Sequence, residues 1–251
     1  MTSTPPSLRQ RAIALSYGLV CHGIFGASVG LMIFHMFFGM RYSLGPFSAP
    51  WSWLANVVLL LQFPIGHSVL LTGKGRAFLK RLAPGLFASD LSTTTYVIVA
   101  SLQVFLLFNL WSFSGIVWWQ ASGVSLVVPV TLYAASWLFL GLAILNAGIT
   151  LQSGFLGWWA VFRNRKPVFP AMPVRGLFRM IRQPIYVAFA CTVWTVPTWT
   201  PDQLVIAVTL TAYCLIGPLF KEARFRKIYG QAFLDYQKTH PYWLPFPRKK
   251  T

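Results

Sequence analysis

Six apolar stretches leave this chain little choice of architecture. They run roughly over residues 12–38, 53–71, 95–111, 123–150, 184–199 and 203–220, with short polar segments between them. An apolar run of about 20 residues, with a working range of about 17–25, is the length of helix that crosses the hydrocarbon core of a bilayer. Backbone groups in lipid find no water to bond, so such runs fold as α-helices. The third, fifth and sixth stretches sit at the short end, where a thin local bilayer or shielding by neighbours accommodates them. The expected fold is all-α: an integral membrane helical bundle with about six transmembrane helices, one membrane domain over residues 1–251, ending in a cytosolic C-terminal segment from residue 221. Composition agrees. Hydrophobic residues make up 56% and charged residues 10%, against about 25% charged in soluble domains.

The charges give the bundle a direction. The formal net charge is +17, from 21 Lys and Arg against four acids, Asp90, Asp202, Glu222 and Asp235. Such a balance suits nucleic acid when it forms a patch. Here the basic residues lie before the first stretch, between the second and third, between the fourth and fifth, and after the sixth, ending in Arg248, Lys249 and Lys250. Only Arg41 falls on the other side. Lys and Arg accumulate on the cytoplasmic face of a membrane. Both termini are therefore expected in the cytoplasm, the partner surface is the lipid bilayer, and nucleic acid is set aside. Residues 1–10 are polar, with two prolines and no small-residue cleavage site, so no removable signal peptide is expected. Cys21, Cys191 and Cys214 all lie in apolar stretches, with neither a CxxC pair nor a metal spacing. No disulfide and no metal site is expected.

Local signals sharpen the last third. The link over residues 197–203 is rich in Pro and Thr, which reads as a tight helical hairpin. Thr200 is the expected N-cap, Pro201 the first helical residue, and Gln203 sits three after the cap. Trp194 and Trp199 suit an aromatic belt at that interface. The segment 162–173 reads as an ordered loop leading into residues 176–182. Residues 221–236 have helical composition broken at Gly230, and the following His240 to Pro247 run completes a tail amphipathic enough to lie at the membrane surface.

There is no P-loop, GxGxxG, HExxH or GxSxG sequence. A cofactor must then bind among the helices and their cytoplasmic loops. The informative residues are Gly176-Leu177-Phe178-Arg179-Met180-Ile181-Arg182-Gln183-Pro184-Ile185-Tyr186, then Glu222, Phe225, Tyr229-Gly230, Phe233 and Tyr236, then Pro241 and Leu244-Pro245. Upstream come His67-Ser68, Ser92, Thr94-Thr95-Tyr96-Val97, Ser101-Leu102, Leu106-Leu107-Phe108 and Trp118. Together, over about residues 62–247, these resemble the isoprenylcysteine carboxyl methyltransferase-like membrane enzymes, and within them the methanethiol S-methyltransferase and NnrU-like branch. The departures are Gln183 for the usual His, Lys221 for the first of a Glu pair, and Ala188 for the Gly after the Tyr.

The resemblance implies S-adenosylmethionine as cofactor, in a pocket between the last hairpin and the tail. It implies that Arg179 or Arg182 pairs with the cofactor carboxylate. Glu222 takes its ammonium or a ribose hydroxyl. Tyr186, Phe225 and Tyr229 hold the adenine or face the sulfonium. Gln183, Pro184, Arg226 and Gln152 complete the expected cofactor site. The acceptor would be a small or lipophilic molecule with a thiol, carboxyl or related group. His67 is the candidate base beside Arg182 and Glu222 as catalytic residues. The compact chain and the bacterial branches point to a bacterial inner membrane.

Plainer readings stand beside these. Arg179 and Arg182 serve equally as positive-inside residues that snorkel. Glu222 suits an i,i+4 pair with Arg226. His67 suits a neutral histidine satisfied within the bundle, and His22 and His35 read as structural. Tyr186 fits an aromatic belt as well as a pocket wall. Gln62, Gln103, Asn109, Asn146 and Thr150 read as groups that bond across helices. Two other functions remain open: an NADPH-dependent reductase of the sterol-reductase type, and a non-enzymatic accessory protein on the same scaffold.

Overall fold

In a computed structural model of the chain, residues 7–245 are described. The basic run Arg248-Lys249-Lys250 and the Phe246-Pro247 end of the tail lie outside them, as do residues 1–6 of the polar N-terminus. The elements are α1 (Leu8–Phe37), α2 (Trp51–Leu70), α3 (Gly73–Leu82), α4 (Ser92–Asn109), β1 (Trp119–Gln120), α5 (Val127–Gln152), α6 (Phe155–Phe162), α7 (Pro184–Trp194), β2 (Thr198–Trp199), α8 (Pro201–Tyr229) and α9 (Gln231–Thr239). The fold is all-α. The helices α1, α2, α4, α5 with the 3-10 turn before it, and α8 are long and apolar enough to cross a membrane by length and composition. This is a multi-pass membrane bundle.

The chain forms two compact units. The first takes Met1–His35, Met40–Phe113 and Ile149–Pro170. Its core packs Ala14, Leu91, Trp158 and Val161 with Tyr17 and Phe155. Gly18 lies flat against the Trp158 indole, leaving no room for a Cβ. The Thr94 hydroxyl donates to the Gly154 carbonyl at 2.7 Å and accepts the Trp158 N–H at 3.0 Å, tying α4 to the start of α6. Between α2 and α4, the Gln62 amide donates to the Gln103 carbonyl at 2.8 Å and Gln103 returns the bond at 2.9 Å. A polar side chain in hydrocarbon needs a partner, and here two glutamines satisfy each other's backbone. His22 accepts the Trp158 indole N–H at 3.1 Å.

The second unit takes Met36–Gly39, Ser114–Gly148 and Ala171–Thr251. Helix α5 breaks at Gly148 (φ 98°, ψ 89°), a conformation that only glycine adopts without strain. Alongside the preceding part of α5 runs α7. Ala188 is fully buried against Leu140 and Ala143, Ser136 Oγ meets Thr195 Oγ1 at 3.0 Å, and the Asn146 side chain accepts the Leu177 N–H at 2.8 Å. These contacts set the two antiparallel. A helix was expected throughout 184–199, but α7 stops at Trp194. Its 11 residues span about 16 Å, half of a hydrocarbon core of about 30 Å. Pro197 gives the reason, because the residue before a proline avoids helical geometry. Extended chain carries on to β2, which pairs antiparallel with β1, Trp119 opposite Trp199 and Gln120 opposite Thr198. From Leu177 to Thr198 the chain thus matches the rise of α5 with a 3-10 turn, a short helix and a strand.

The turn into α8 follows its sequence signals. Thr200 Oγ1 accepts the Gln203 N–H at 2.9 Å, with Pro201 in the first helical turn. The capping box is not completed by Gln203, whose side chain instead donates to the Val193 carbonyl at 2.9 Å. Asp202 bonds Ser114, accepting its N–H at 3.2 Å and its hydroxyl at 2.5 Å. At the far end α8 stops at Gly230 (φ 54°) and α9 begins, the break expected at that glycine. The three cysteines are free.

Candidate functional site

The polar residues of the tail motif converge where α7 begins and α8 passes into α9. Pro184 starts α7, so Gln183 is its N-cap residue. The Gln183 side chain makes no cap bond and is buried. On α8, Leu210, Cys214, Pro218 and Glu222 are buried at four-residue intervals. They form one helical stripe, and that stripe delivers a carboxylate to the inside of the unit.

Glu222 is the centre of the cluster. Its side chain is 2% exposed and pairs with Arg182, 7% exposed, at 3.0 Å between Oε1 and Nε. The same Oε1 accepts Gln183 Nε2 at 2.7 Å. Oε2 accepts Gln237 Nε2 at 2.5 Å. Arg182 also donates from Nη1 to the Gln237 carbonyl at 2.8 Å, and its guanidinium carbon lies 5.4 Å from the Tyr242 ring centre. The Arg182 N–H bonds the Pro241 carbonyl at 3.0 Å. One ion pair therefore ties α7's approach, α8, α9 and the following segment together.

Beside it stands Lys221, half-buried. Its ammonium donates to Gln183 Oε1 at 2.8 Å. It lies 5.8, 5.4 and 5.5 Å from the ring centres of Phe178, Tyr186 and Phe225, within the range of cation–π attraction. Gln183 thus uses both ends of its amide, donating to a carboxylate and accepting from an ammonium. A histidine ring in its place has no such fixed polarity. Tyr236 donates its hydroxyl to the Phe178 carbonyl at 2.6 Å. Burial pushes the Tyr236 phenol up to about 12, with Arg182 lowering it and Glu222 raising it. Tyr236 therefore stays a donor through the physiological range and pins the 3-10 turn Gly176–Arg179.

Half of the expected site residues meet here, with altered partners. Arg182, Gln183, Pro184, Tyr186 and Glu222 are together. Glu222 pairs with Arg182 and not, as the plainer reading had it, with Arg226, whose Nε instead donates to Gln237 Oε1 at 3.2 Å. Arg179 and Arg226 are exposed. Tyr229 packs edge-on to Phe225, centres 5.2 Å apart. His67 and Gln152 belong to the first unit. The His67 Nε2 meets the Tyr96 hydroxyl at 2.6 Å, and Gln152 is exposed at the end of α5. Gln237 and Tyr242 were not foreseen as members. The only hint was that Gln237 follows Tyr236, a buried position of the tail helix.

Gly176 holds the entry to the site. Its φ is +58°, and a Cβ there would overlap the Asn146 amide that receives the Leu177 N–H. Gly176→Ala combines left-handed strain with loss of that bond, and is expected to cost about 2–3 kcal/mol. Unfolding of the detergent-solubilised protein by heat or denaturant measures it. A cost under about 0.5 kcal/mol would mean that the turn relaxes freely.

Three bacterial proteins illustrate what this chain is similar to. It is 29% identical over 209 residues to "Methanethiol S-methyltransferase" of Pseudomonas deceptionensis, covering 80% of this chain and 76% of that protein. It is 27% identical over 210 residues to "Methanethiol S-methyltransferase 2" of Bradyrhizobium diazoefficiens, covering 79% and 76%. It is 26% identical over 208 residues to "Methanethiol S-methyltransferase" of Mycobacterium tuberculosis, covering 79% and 80%. No protein-family model matches the chain, and no solved structure does.

Proposed function

We propose that this chain, a relative of the methanethiol S-methyltransferases and of isoprenylcysteine carboxyl methyltransferase-like type, is a membrane methyltransferase that transfers a methyl group from S-adenosylmethionine to a small thiol. The observation that carries the reading is the buried cluster around Glu222. It offers a cation, an amide and three ring faces beside an ion pair already neutralised. That donor set fits a ligand with an anionic group, an aromatic base and a positively charged sulfur. Tyr186, Phe178 and Phe225 would supply ring faces, and Lys221 the polar contact, with Gln183 fixing its direction. Bound there, the cofactor supplies an electrophilic methyl group.

Arg182 and Glu222 act here as positioning residues. Their charges satisfy each other, so their task is to fix α8, α9 and the Pro241–Tyr242 segment around the site. For methyl transfer the protein contributes orientation and exclusion of water. The basic loops support a reading with both termini in the cytoplasm, and the bacterial relatives favour an inner membrane.

The reading is tested by titrating detergent-purified protein with S-adenosylhomocysteine and with NADPH by calorimetry. S-adenosylhomocysteine is expected to bind and NADPH is not. With labelled S-adenosylmethionine and methanethiol, label is expected in dimethyl sulfide. Binding of NADPH alone, or of neither ligand by folded protein, would remove the methyltransferase reading.

A further inference from the structure

Resting on that reading, we infer that Lys221 is the residue that holds the carboxylate of the cofactor's amino-acid part. An ammonium carries three donors. Among the described residues, Lys221 makes one hydrogen bond, to Gln183 Oε1 at 2.8 Å. The ring faces of Phe178, Tyr186 and Phe225 attract its charge but take no second strong hydrogen bond. Glu222, its neighbour in sequence, is already committed to Arg182, Gln183 and Gln237. Arg182 and Glu222 cancel, so Lys221 leaves the cluster with an uncompensated positive charge. Lys221 is also the half-buried member of the set, while Arg182, Gln183 and Glu222 are buried. It is therefore the charged group of this cluster left to pair with a ligand while the ion pair stays intact.

The rings do a second job. They hold the lysine stem and head in one place, so little side-chain freedom is left to lose when a carboxylate docks. Gln183 fixes the direction of one N–H and leaves the others for the ligand. The arrangement selects a ligand that is anionic at this point and aromatic nearby. It disfavours one that presents a bare cation to Lys221.

The test uses two neutral-sulfur probes, S-adenosylhomocysteine and its decarboxylated analogue, which keeps the ammonium and lacks the carboxylate. Calorimetry and displacement of labelled S-adenosylhomocysteine give both affinities in wild type, Lys221→Met and Lys221→Arg. Methionine keeps the length and fills the aromatic cage, and thermal unfolding confirms that it folds. In Lys221→Met, S-adenosylhomocysteine is expected to bind about 10- to 100-fold more weakly, the loss of a charge-assisted bond, with the analogue changed by less than about threefold. Lys221→Arg is expected to retain most of the affinity. Equal weakening of both probes would make Lys221 structural and overturn the inference, as would an unchanged affinity for S-adenosylhomocysteine. Failure of the folded wild type to bind S-adenosylhomocysteine at all would overturn the proposed function together with it.

Discussion

Glu222→Ala is expected to destabilise the protein by about 3–5 kcal/mol, the usual consequence of removing one partner of a buried pair. The change leaves the Arg182 guanidinium 7% exposed with no counter-charge. It also takes the acceptor from Gln183 and Gln237. The Ala side chain fills none of the space. Denaturant unfolding in detergent reads the loss, and S-adenosylhomocysteine binding is expected to vanish with it. The double change Arg182→Met with Glu222→Leu separates the causes. Apolar residues of similar volume replace a buried pair at little or no cost, so most of the stability is expected to return. Binding is not expected to return, because the bonds that fix Gln183 and the tail are gone. A loss under about 1 kcal/mol in Glu222→Ala would show that the carboxylate is not the hub described here.

Asp202→Ala is expected to cost about 2–3 kcal/mol while leaving the proposed cofactor site intact. Asp202 is 5% exposed and accepts the backbone and hydroxyl of Ser114. Bonds to a charged acceptor contribute about 1.5–3 kcal/mol, and its place in the first turn of α8 adds a favourable helix-dipole contribution. Without it the loop entering β1 loses its anchor and the pairing with β2 loosens. Glu222 lies 20 residues further along the same helix, about 30 Å away. S-adenosylhomocysteine affinity is therefore expected to stay within about threefold of wild type, read by the same titration after confirming the lowered melting temperature. A parallel loss of affinity would show that the two ends of α8 are coupled. The two substitutions form a contrast, since each removes a buried acid of one helix and only one of them touches the site.

The elements that were legible share a property: their signals are local. Thr200-Pro201 starts α8 and Gly230 ends it, because capping and left-handed geometry depend on the residues at hand. The reciprocal pair of Gln62 and Gln103 was expected as bonding across helices, because amides in hydrocarbon have few alternatives. The short α6 was not foreseen. Its apolar residues Phe155–Phe162 followed a long apolar stretch, and the left-handed Gly154 that separates them gives only a weak signal. The end of α7 at Trp194 was overrun for a similar reason, since hydropathy continues past the point where Pro197 halts the helix.

At the site, the motif brought Arg182, Gln183, Tyr186 and Glu222 to notice but not their roles. Sequence offered Glu222 the nearby Arg226, four residues on. The fold gave it Arg182, forty residues back, because α7's approach and α8 pack with their polar ends together. Lys221 read as a departure from the usual carboxylate pair, and only the three rings gathered around it reveal a place for an ammonium. The sequence alone determined the membrane bundle and the residues worth watching, since hydrophobic length and caps act within a few residues of chain. The tertiary structure decided which charge meets which and which one is left over. Those outcomes depend on distance and burial between segments far apart in sequence, where the low local dielectric makes each pairing decisive.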